Sequence, residues 1–360
     1  MVYPPKALYV ACTDHESFGK TALCVGLAKE FAARGLKVGY FKPLGVATCK
    51  FEGKNADEDA LLFKDMLKIE ASIWDISPIL LGYRYLETCP SLSARELDGK
   101  ISRAYKKASK GMEIMIVESV RELSLGVALG LSVPKLAKKL NAGIILVSSR
   151  REDRVVDEVI NAYSNLVFAQ SKVLGVVFNN IPNHLIGRVK DIFKEALEAN
   201  GVPLLGVIPE SIQLTAPTVG EVALTLGGEV LCAEEGLSKR VETYMVGAMA
   251  AEAAVKNFRR AREKAVITSG DRPEIALAAL ETDTSLLILT DNVYPEARLR
   301  AKAEEKGVPI ILVPYDAYTT INKLSELVGR IKAGDERRIE IAHRLVAENV
   351  DLQAITALLH

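Results

Sequence analysis

Short apolar runs, many of them β-branched, alternate along the chain with longer amphipathic stretches. In the first part we predict buried strands at 7–13, 37–43, 113–119, 143–149, 173–179 and 203–209. Continuous apolar runs of this length are typical of strands covered on both faces of a parallel sheet. The stretches between them have helical periodicity, for example 23–35, in which Gly35 is a natural helix stop. Alternating strands and helices predict right-handed crossovers and a doubly wound, mostly parallel α/β sheet.

The pattern changes after residue 212, where Thr215-Ala216-Pro217 resembles a linker. A second, smaller α/β series follows, with predicted strands at 264–270, 285–291 and 309–315 and predicted helices at 273–282, 296–307 and 319–332. The last residues are amphipathic and helical, and we expect their apolar stripe to dock on a domain or on a second subunit. We therefore predict domains at 1–212 and 217–332 and a helical tail at 333–360.

Composition narrows the class of protein. Lys and Arg total 46, as do Asp and Glu, so no net charge favours a nucleic-acid or membrane partner. The five cysteines have no C-x-x-C pair and the four histidines are widely separated, which favours free thiols and disfavours a zinc cluster. The sequence has neither a signal-peptide pattern nor an apolar stretch of ~18 residues, the length that a membrane span needs. We expect a cytoplasmic protein.

Residues 12–21, CTDHESFGKT, join the first predicted strand to a predicted helix. The general phosphate-loop pattern G-x-x-x-x-G-K-[ST] ends like this segment, but it places a glycine where Asp14 stands. Backbone N–H groups at a helix N-terminus bind phosphate oxygens, and the helix dipole assists. Lys20 would reach the β- and γ-phosphates, and the Thr21 hydroxyl would bind Mg²⁺. The alternative is a lysine early in an ordinary helix.

Further charged residues follow the next predicted strands. Lys42 ends the second strand, Asp57, Glu58 and Asp59 precede a helix, and Glu118 ends the third strand. Ligands of open α/β sheets collect at these strand ends, and Mg²⁺ prefers oxygen ligands. A glutamate on a buried strand would be costly to keep ionised without a function. Any one of residues 57–59 could instead be a helix N-cap.

Six motifs resemble, in order and spacing, the dethiobiotin synthetase-like branch of the P-loop NTPases: VACTDHESFGKT, GYFKP, DEDALL, IVES, GVVFNN and LLGVIPE. The resemblance is closer still to the N-terminal domain of long-form bacterial phosphotransacetylases and their stand-alone relatives. The second half is similar to the DRTGG domain that follows it in those proteins. Together the two matches cover about residues 5 to 330.

The resemblance implies individual roles. It assigns the phosphate loop, T-D-x-E-x-G-K-T with one extra residue, to Thr13, Asp14, Glu16, Gly19, Lys20 and Thr21. It assigns the metal to Thr21, Asp59 and Glu118, and the two active-site lysines to Lys20 and Lys42. Asn179 would bind adenine, since an amide can both donate and accept a hydrogen bond, and the backbone at Pro209 would flank the base. The implied cofactors are ATP and Mg²⁺.

The chain also departs from the family pattern. Ser119 replaces a glycine after the third strand, and LGVAT follows the Lys42-Pro43 pair where dethiobiotin synthetases have serine and glycine. His15, Ser17 and Phe18 add bulk where the loop must approach phosphate closely, which is ordinarily a role of glycine. These departures favour nucleotide binding over turnover, and turnover over biotin synthesis.

The DRTGG-like half has its own candidate residues. Asp271 and Arg272 follow a predicted strand, where Asp271 would cap the next helix and Arg272 would meet an anion or a carboxylate. The family has two glycines after Thr290, and this chain has Asp291-Asn292. The alternatives are a turn-and-cap pair inside a dimerising module and a regulatory small-molecule site.

Two functional hypotheses follow. The first is an ATP- and Mg²⁺-binding regulatory or scaffold protein, related to the N-terminal region of phosphotransacetylase, whose DRTGG domain senses a ligand or assembles subunits. We expect no acetyltransferase activity from these residues alone. The second is an ATP-dependent ligase that phosphorylates a small carboxylate or carbamate through Lys20 and Lys42. A vestigial loop is disfavoured, because charged groups would then have no reason to occupy buried strand ends.

Related P-loop proteins pair across the nucleotide, so we expect a homodimer, with His15 as a weak candidate for reaching the partner.

Overall fold

The computed structural model describes residues 5–13, 19–46, 48–88, 93–120, 122–325 and 327–358. The chain divides into two compact units. The first unit comprises Met1–Glu210 and Ile331–His360, and the second unit comprises Ser211–Arg330. The first unit is therefore built from two segments, a long N-terminal one and a short C-terminal one, and the second unit lies between them in the sequence.

Apolar strands build the centre of the first unit. Its strands are β1 (Lys6–Cys12), β2 (Val38–Phe41), β3 (Leu44–Gly45), β4 (Thr48–Phe51), β5 (Lys54–Asp57), β6 (Ile79–Leu80), β7 (Ile114–Glu118), β8 (Ala142–Ser148), β9 (Val173–Ile181) and β10 (Leu204–Pro209). Six of them form one sheet in the order β10-β9-β8-β1-β7-β2, and every neighbouring pair is parallel. These are the six strands predicted from the apolar runs, so the expected parallel α/β sheet is confirmed.

Helices cover both faces of this sheet. They are α1 (Lys20–Ala33), α2 (Glu58–Met66), α3 (Ile73–Ile76), α4 (Tyr85–Thr88), α5 (Ala94–Ala108), α6 (Val133–Lys139), α7 (Arg154–Phe168), α8 (Ile186–Arg188) and α9 (Lys194–Ala199). The start of α5 shows how local sequence sets a boundary, because Ser93 and Glu96 form a reciprocal capping box. Buried side chains of α5, α6 and α7 pack on one face of the sheet, among them Ile101, Leu136 and Val159. Apolar burial of this kind supplies most of the driving force for folding.

The second unit is a smaller α/β sheet. Its elements are α10 (Ile212–Thr215), α11 (Val219–Leu226), β11 (Glu229–Cys232), β12 (Thr243–Val246), α12 (Ala251–Phe258), β13 (Lys264–Ser269), α13 (Pro273–Leu280), β14 (Thr284–Thr290), α14 (Ala297–Lys306), β15 (Ile310–Leu312) and α15 (Ala317–Leu324). The sheet order is β11-β15-β14-β13-β12, with β11 antiparallel to β15 and the other pairs parallel. The helix predicted at 319–332 is too long, since it ends at Leu324. Asp316 fixes its start as an N-cap, and Ser325 and Gly329 disfavour continuation.

The returning segment packs on the helix that follows β1. It contains α16 (Glu336–Asn349) and α17 (Leu352–Leu358). Nε2 of His343 lies 3.0 Å from Oε2 of Glu30 on α1. A Cβ atom on Gly26 would lie 2.3 Å from Cγ2 of Val346, so glycine permits the close approach of α1 and α16. The predicted amphipathic tail thus has its docking face inside the first unit. No described helix combines the length and apolarity of a membrane span.

Candidate functional site

Gly19 stands where the chain turns into α1. Its φ of 93° and ψ of 8° are left-handed, a conformation that glycine adopts without strain. A Cβ atom there would lie 1.7 Å from Nδ2 of Asn179, so the glycine also makes room for that side chain. Two of the predicted nucleotide-binding residues are therefore adjacent. The predicted Glu16, with the rest of segment 14–18, lies outside the described residues.

Lys20 is the first residue of α1, and its Nζ donates to Sγ of Cys12 at 3.2 Å. The buried Asn179 lies near the carboxyl end of β9, and Pro209 ends the neighbouring β10. The carboxyl edge of a parallel sheet therefore brings three features to the same side of the unit: the start of α1, Asn179, which is predicted to bind adenine, and Pro209, which is predicted to flank the base.

A hydroxyl and two carboxylates converge one residue further along α1. The Thr21 hydroxyl donates to Oε1 of Glu118 at 2.9 Å and lies 3.5 Å from Oδ1 of Asp59. Oε2 of Glu118 accepts a hydrogen bond of 2.8 Å from the hydroxyl of Tyr40. The three predicted metal ligands are thus together in the structure. Sequence reasoning missed Tyr40, although the alternation of β2 places it on the same face of the strand as Lys42.

Lys42 is almost completely buried and lies between two aspartates. Its Nζ is 3.2 Å from Oδ1 of Asp57 and also forms an ion pair with Asp59. Asp57 is at the same time the N-cap of α2, since its carboxylate accepts from the backbone N–H groups of Asp59 and Ala60. The structure therefore separates the alternatives for residues 57–59, with Asp57 as the cap and Asp59 facing Thr21.

Burial and mutual charge shift the pKa values of this cluster. Burial raises the pKa of Glu118 to about 7, and the negative charge of Asp59 adds to this, while Lys42 opposes it. Burial also raises the pKa of Asp57, against the opposing charge of Lys42. For Lys42, burial lowers the pKa, but the surrounding carboxylates outweigh it, so its pKa lies above the usual value. The ammonium is therefore charged at neutral pH, and it compensates carboxylates that burial would otherwise neutralise.

The donor set fits Mg²⁺ better than it fits a metal held entirely by protein. Among the described residues, no group of three or more His, Cys, Asp and Glu side chains is placed to hold a metal ion. Mg²⁺ commonly keeps several waters and binds through one or two carboxylates together with substrate phosphates. Thr21, Asp59 and Glu118 offer one hydroxyl and two carboxylates at the start of a helix, which is the arrangement that such a shared site requires.

A cavity of about 500 Å³ in the first unit lies beside α6 and α7 and reaches Thr13, the first residue of the predicted phosphate loop. Its walls include Thr13, Ser132, Glu158 and Asn161, but not Lys42. One carboxylate oxygen of Glu158 is buried and has no hydrogen-bond partner in the described part of the chain. The other oxygen pairs with Arg154 at 2.9 Å and lies 3.8 Å from Arg150, so the charge of this carboxylate is compensated.

The second unit places its predicted residues differently from expectation. Arg272, and not Asp271, occupies the N-cap position of α13. The guanidinium of Arg272 donates to the carbonyl oxygens of Gly247 at 2.9 Å and Met249 at 2.8 Å. Its Nε also lies 3.3 Å from Oε1 of Glu274, so Arg272 meets a carboxylate, one of its two expected partners, and holds the preceding loop.

A six-stranded parallel sheet in which a Gly-Lys-Thr turn leads from β1 into α1 is the fold of a P-loop nucleotide-binding protein. Family comparison agrees. The model of the AAA domain family matches residues 6–218, more than half of the chain, and the model of the DRTGG domain matches 221–327. The chain belongs to this AAA domain family of P-loop proteins and carries a DRTGG domain after it.

The curated relatives are phosphate acetyltransferases. That of Pseudomonas putida is 28% identical over 374 residues, covering 96% of this chain and 51% of the relative. That of Nitrosomonas europaea is 27% identical over 362 residues, covering 92% and 49%. The chain thus spans about half the length of the curated relatives it matches, and it is related to their N-terminal region.

Solved structures similar to this chain include the MinC:MinD cell division protein complex of Aquifex aeolicus, at 15% identity and a TM-score of 0.38, covering 58% of this chain and 83% of that one. Another is the regulatory region, with CBS and DRTGG domains, of Clostridium perfringens pyrophosphatase complexed with diadenosine tetraphosphate. It is 24% identical with a TM-score of 0.28, covering 34% and 53%.

Proposed function

We propose that the first unit binds ATP with Mg²⁺ and that the protein is regulatory or a scaffold, with a DRTGG domain that senses a small-molecule ligand or assembles subunits. The convergence of the Thr21 hydroxyl with Asp59 and Glu118, directly after Gly19 and Lys20, carries this proposal. Backbone N–H groups at the start of α1 and the Lys20 ammonium would bind the phosphates.

The remaining predicted residues take supporting roles in this proposal. Asn179 would bind the adenine, with Pro209 beside it at the neighbouring strand end. Glu16 would belong to the loop around the phosphates. Bound Mg²⁺ would neutralise phosphate charge, and Thr21, Asp59 and Glu118 would orient it.

The ion pairs of Lys42 support nucleotide binding more strongly than they support ATP turnover. A lysine that stabilises a transferring phosphoryl group must direct its charge to that group. Here the ammonium is buried against Asp57 and Asp59, which already compensate its charge. The alternative, an ATP-dependent ligase acting on a small carboxylate or carbamate, would also need an anion pocket beside Lys42. The cavity beside α6 and α7 is not lined by that residue.

Isothermal titration calorimetry tests the proposal directly. ATP, ADP and GTP are titrated into the full chain with Mg²⁺ and with EDTA. We expect Mg²⁺-dependent ATP binding that Lys20→Ala weakens by more than tenfold and that Lys29→Ala, a change on the same helix, leaves within twofold. Absence of binding by all three nucleotides would overturn the proposal. Phosphate release that depends on an added small carboxylate and is abolished in Lys42→Ala would instead favour the ligase.

The proposal extends to assembly and location. We propose a homodimer or higher homo-oligomer in the cytoplasm, without nucleic-acid or membrane partners. Sedimentation velocity with and without Mg·ATP tests the assembly. A monomer under all conditions would reject it, and an unchanged profile for His15→Ala would end the suggested role of His15.

A further inference from the structure

The buried hydroxyl of Tyr40 has no role in the nucleotide site proposed above. It donates to Oε2 of Glu118 at 2.8 Å, while the Thr21 hydroxyl donates to Oε1 of the same carboxylate at 2.9 Å. Each oxygen of the carboxylate therefore has one hydroxyl donor. Because Oε2 accepts the hydrogen bond from Tyr40, Oε1 is the oxygen that faces Thr21.

The ring of Tyr40 is itself held by packing. It is fully buried and stacks on Phe63 of α2, with ring centroids 3.7 Å apart and planes 3° from parallel. α2 is the helix that Asp57 caps and on which Asp59 lies. One side chain on β2 therefore contacts both supports of the proposed metal site, the carboxylate of β7 through its hydroxyl and the helix of Asp59 through its ring.

We propose that Tyr40 is a positioning residue for the divalent cation, acting through Glu118. This inference rests on the proposed Mg·ATP site. A carboxylate that binds a metal through one oxygen needs a donor on the other to fix its orientation when it is buried. The Tyr40 hydroxyl supplies that donor without entering the metal's own shell. Its removal leaves a buried carboxylate oxygen without a donor and lets Glu118 rotate away from Thr21.

Tyr40→Phe is the test, because it deletes the hydroxyl and keeps the stacked ring. Outer-sphere hydrogen-bond partners of metal ligands typically contribute about 10–100-fold in metal affinity. We therefore expect the Mg²⁺ concentration that half-saturates ATP binding to rise by about tenfold or more. ATP binding in EDTA should stay within twofold of the unmodified chain. A change in folding alone would alter both measurements together.

Two further variants provide controls. Tyr105→Phe deletes another buried tyrosine hydroxyl, one with no hydrogen-bond partner among the described residues, and should leave the Mg²⁺ dependence unchanged. Phe63→Leu removes the stacked ring but keeps the Tyr40 hydroxyl, and should shift the Mg²⁺ dependence less than Tyr40→Phe does. Calorimetry over a Mg²⁺ series, together with electron paramagnetic resonance of free Mn²⁺ in the presence of ATP, measures the metal directly.

The outcomes are separable. If the unmodified chain binds no Mg·nucleotide, the proposed function fails and this inference fails with it. If the unmodified chain binds and Tyr40→Phe has the same Mg²⁺ and Mn²⁺ affinities, only the positioning role is overturned. An equal loss in Phe63→Leu and Tyr40→Phe also overturns it, because the loss would then come from packing. A selective loss of metal affinity in Tyr40→Phe supports it.

Discussion

Gly19→Ala should destabilise the first unit by more than its left-handed backbone conformation alone explains. A left-handed conformation costs an alanine roughly 1–2 kcal/mol. Gly35, just past the end of α1, has a φ of 84°, and apart from its chain neighbours no atom of the described residues would lie within 4 Å of an added Cβ there, so Gly35→Ala measures this backbone cost alone. At Gly19 the added Cβ would also meet Nδ2 of Asn179 at 1.7 Å and its Cγ at 2.9 Å. Because Asn179 is buried, it must leave its position.

A double-mutant cycle isolates the steric contribution. Gly19→Ala, Asn179→Ala and the double variant are compared by urea unfolding monitored by circular dichroism, with Gly35→Ala as the control. Removing the Asn179 side chain makes room for the new methyl group, so we expect the double variant to be more stable than the sum of the single changes predicts, by roughly 0.5–3 kcal/mol. If Gly19→Ala and Gly35→Ala are equally destabilising and the cycle is additive, the two residues are not in the contact described here.

Three other predictions concern charges and close packing. The hydrogen bond from His343 lowers the pKa of Glu30. This contribution to stability should be complete above the usual carboxylate pKa and lost as the pH falls through the lowered one. His343→Leu removes this contribution, so it should lower the free energy of unfolding at pH 7 by under about 1 kcal/mol. The loss of stability between pH 7 and pH 3 should be smaller than in the unmodified chain. Gly26→Ala should lower stability by about 1–3 kcal/mol because the new methyl group collides with Cγ2 and Cβ of Val346. Val346→Gly removes both atoms, so in thermal unfolding the double variant should be more stable than the sum of the two single changes predicts. Lys42→Met should cost about 3 kcal/mol or more, since it removes the ammonium that pairs with the buried Asp57 and the partly buried Asp59, and equal stability to the unmodified chain in urea would contradict these ion pairs.

Much of the first unit follows from short-range sequence signals. An apolar run is enough to predict a buried strand, and a Gly-Lys-Thr turn directly after such a run is enough to predict where α1 begins. The grouping of Glu118 with Thr21 was also predictable, because carboxyl ends of parallel strands share one edge of the sheet. Asp59 lies in α2, after the separate antiparallel pair of β4 and β5, so only the family resemblance placed it near Thr21.

Other features depend on side-chain packing that no local pattern encodes. The periodicity of residues 336–349 predicts an apolar stripe, but it does not say that α1 is the surface it covers, which depends on Gly26 admitting Val346. The contact of Tyr40 with Glu118 is set by the register of β2 on β7, and the choice of Asp57 as the cap is set by where α2 begins.

Asp59 shows how one cluster can hold a buried lysine and still serve a metal. Its Oδ2 pairs with Lys42, whereas its Oδ1 faces the Thr21 hydroxyl at 3.5 Å. A cation bound at the Thr21 side would therefore contact a different oxygen from the one that the lysine uses, so metal binding need not release Lys42. Asp57 remains as the second partner of that ammonium. On this geometry, the proposed Mg·ATP binding would leave Lys42 paired, which supports nucleotide binding over phosphoryl transfer assisted by that lysine.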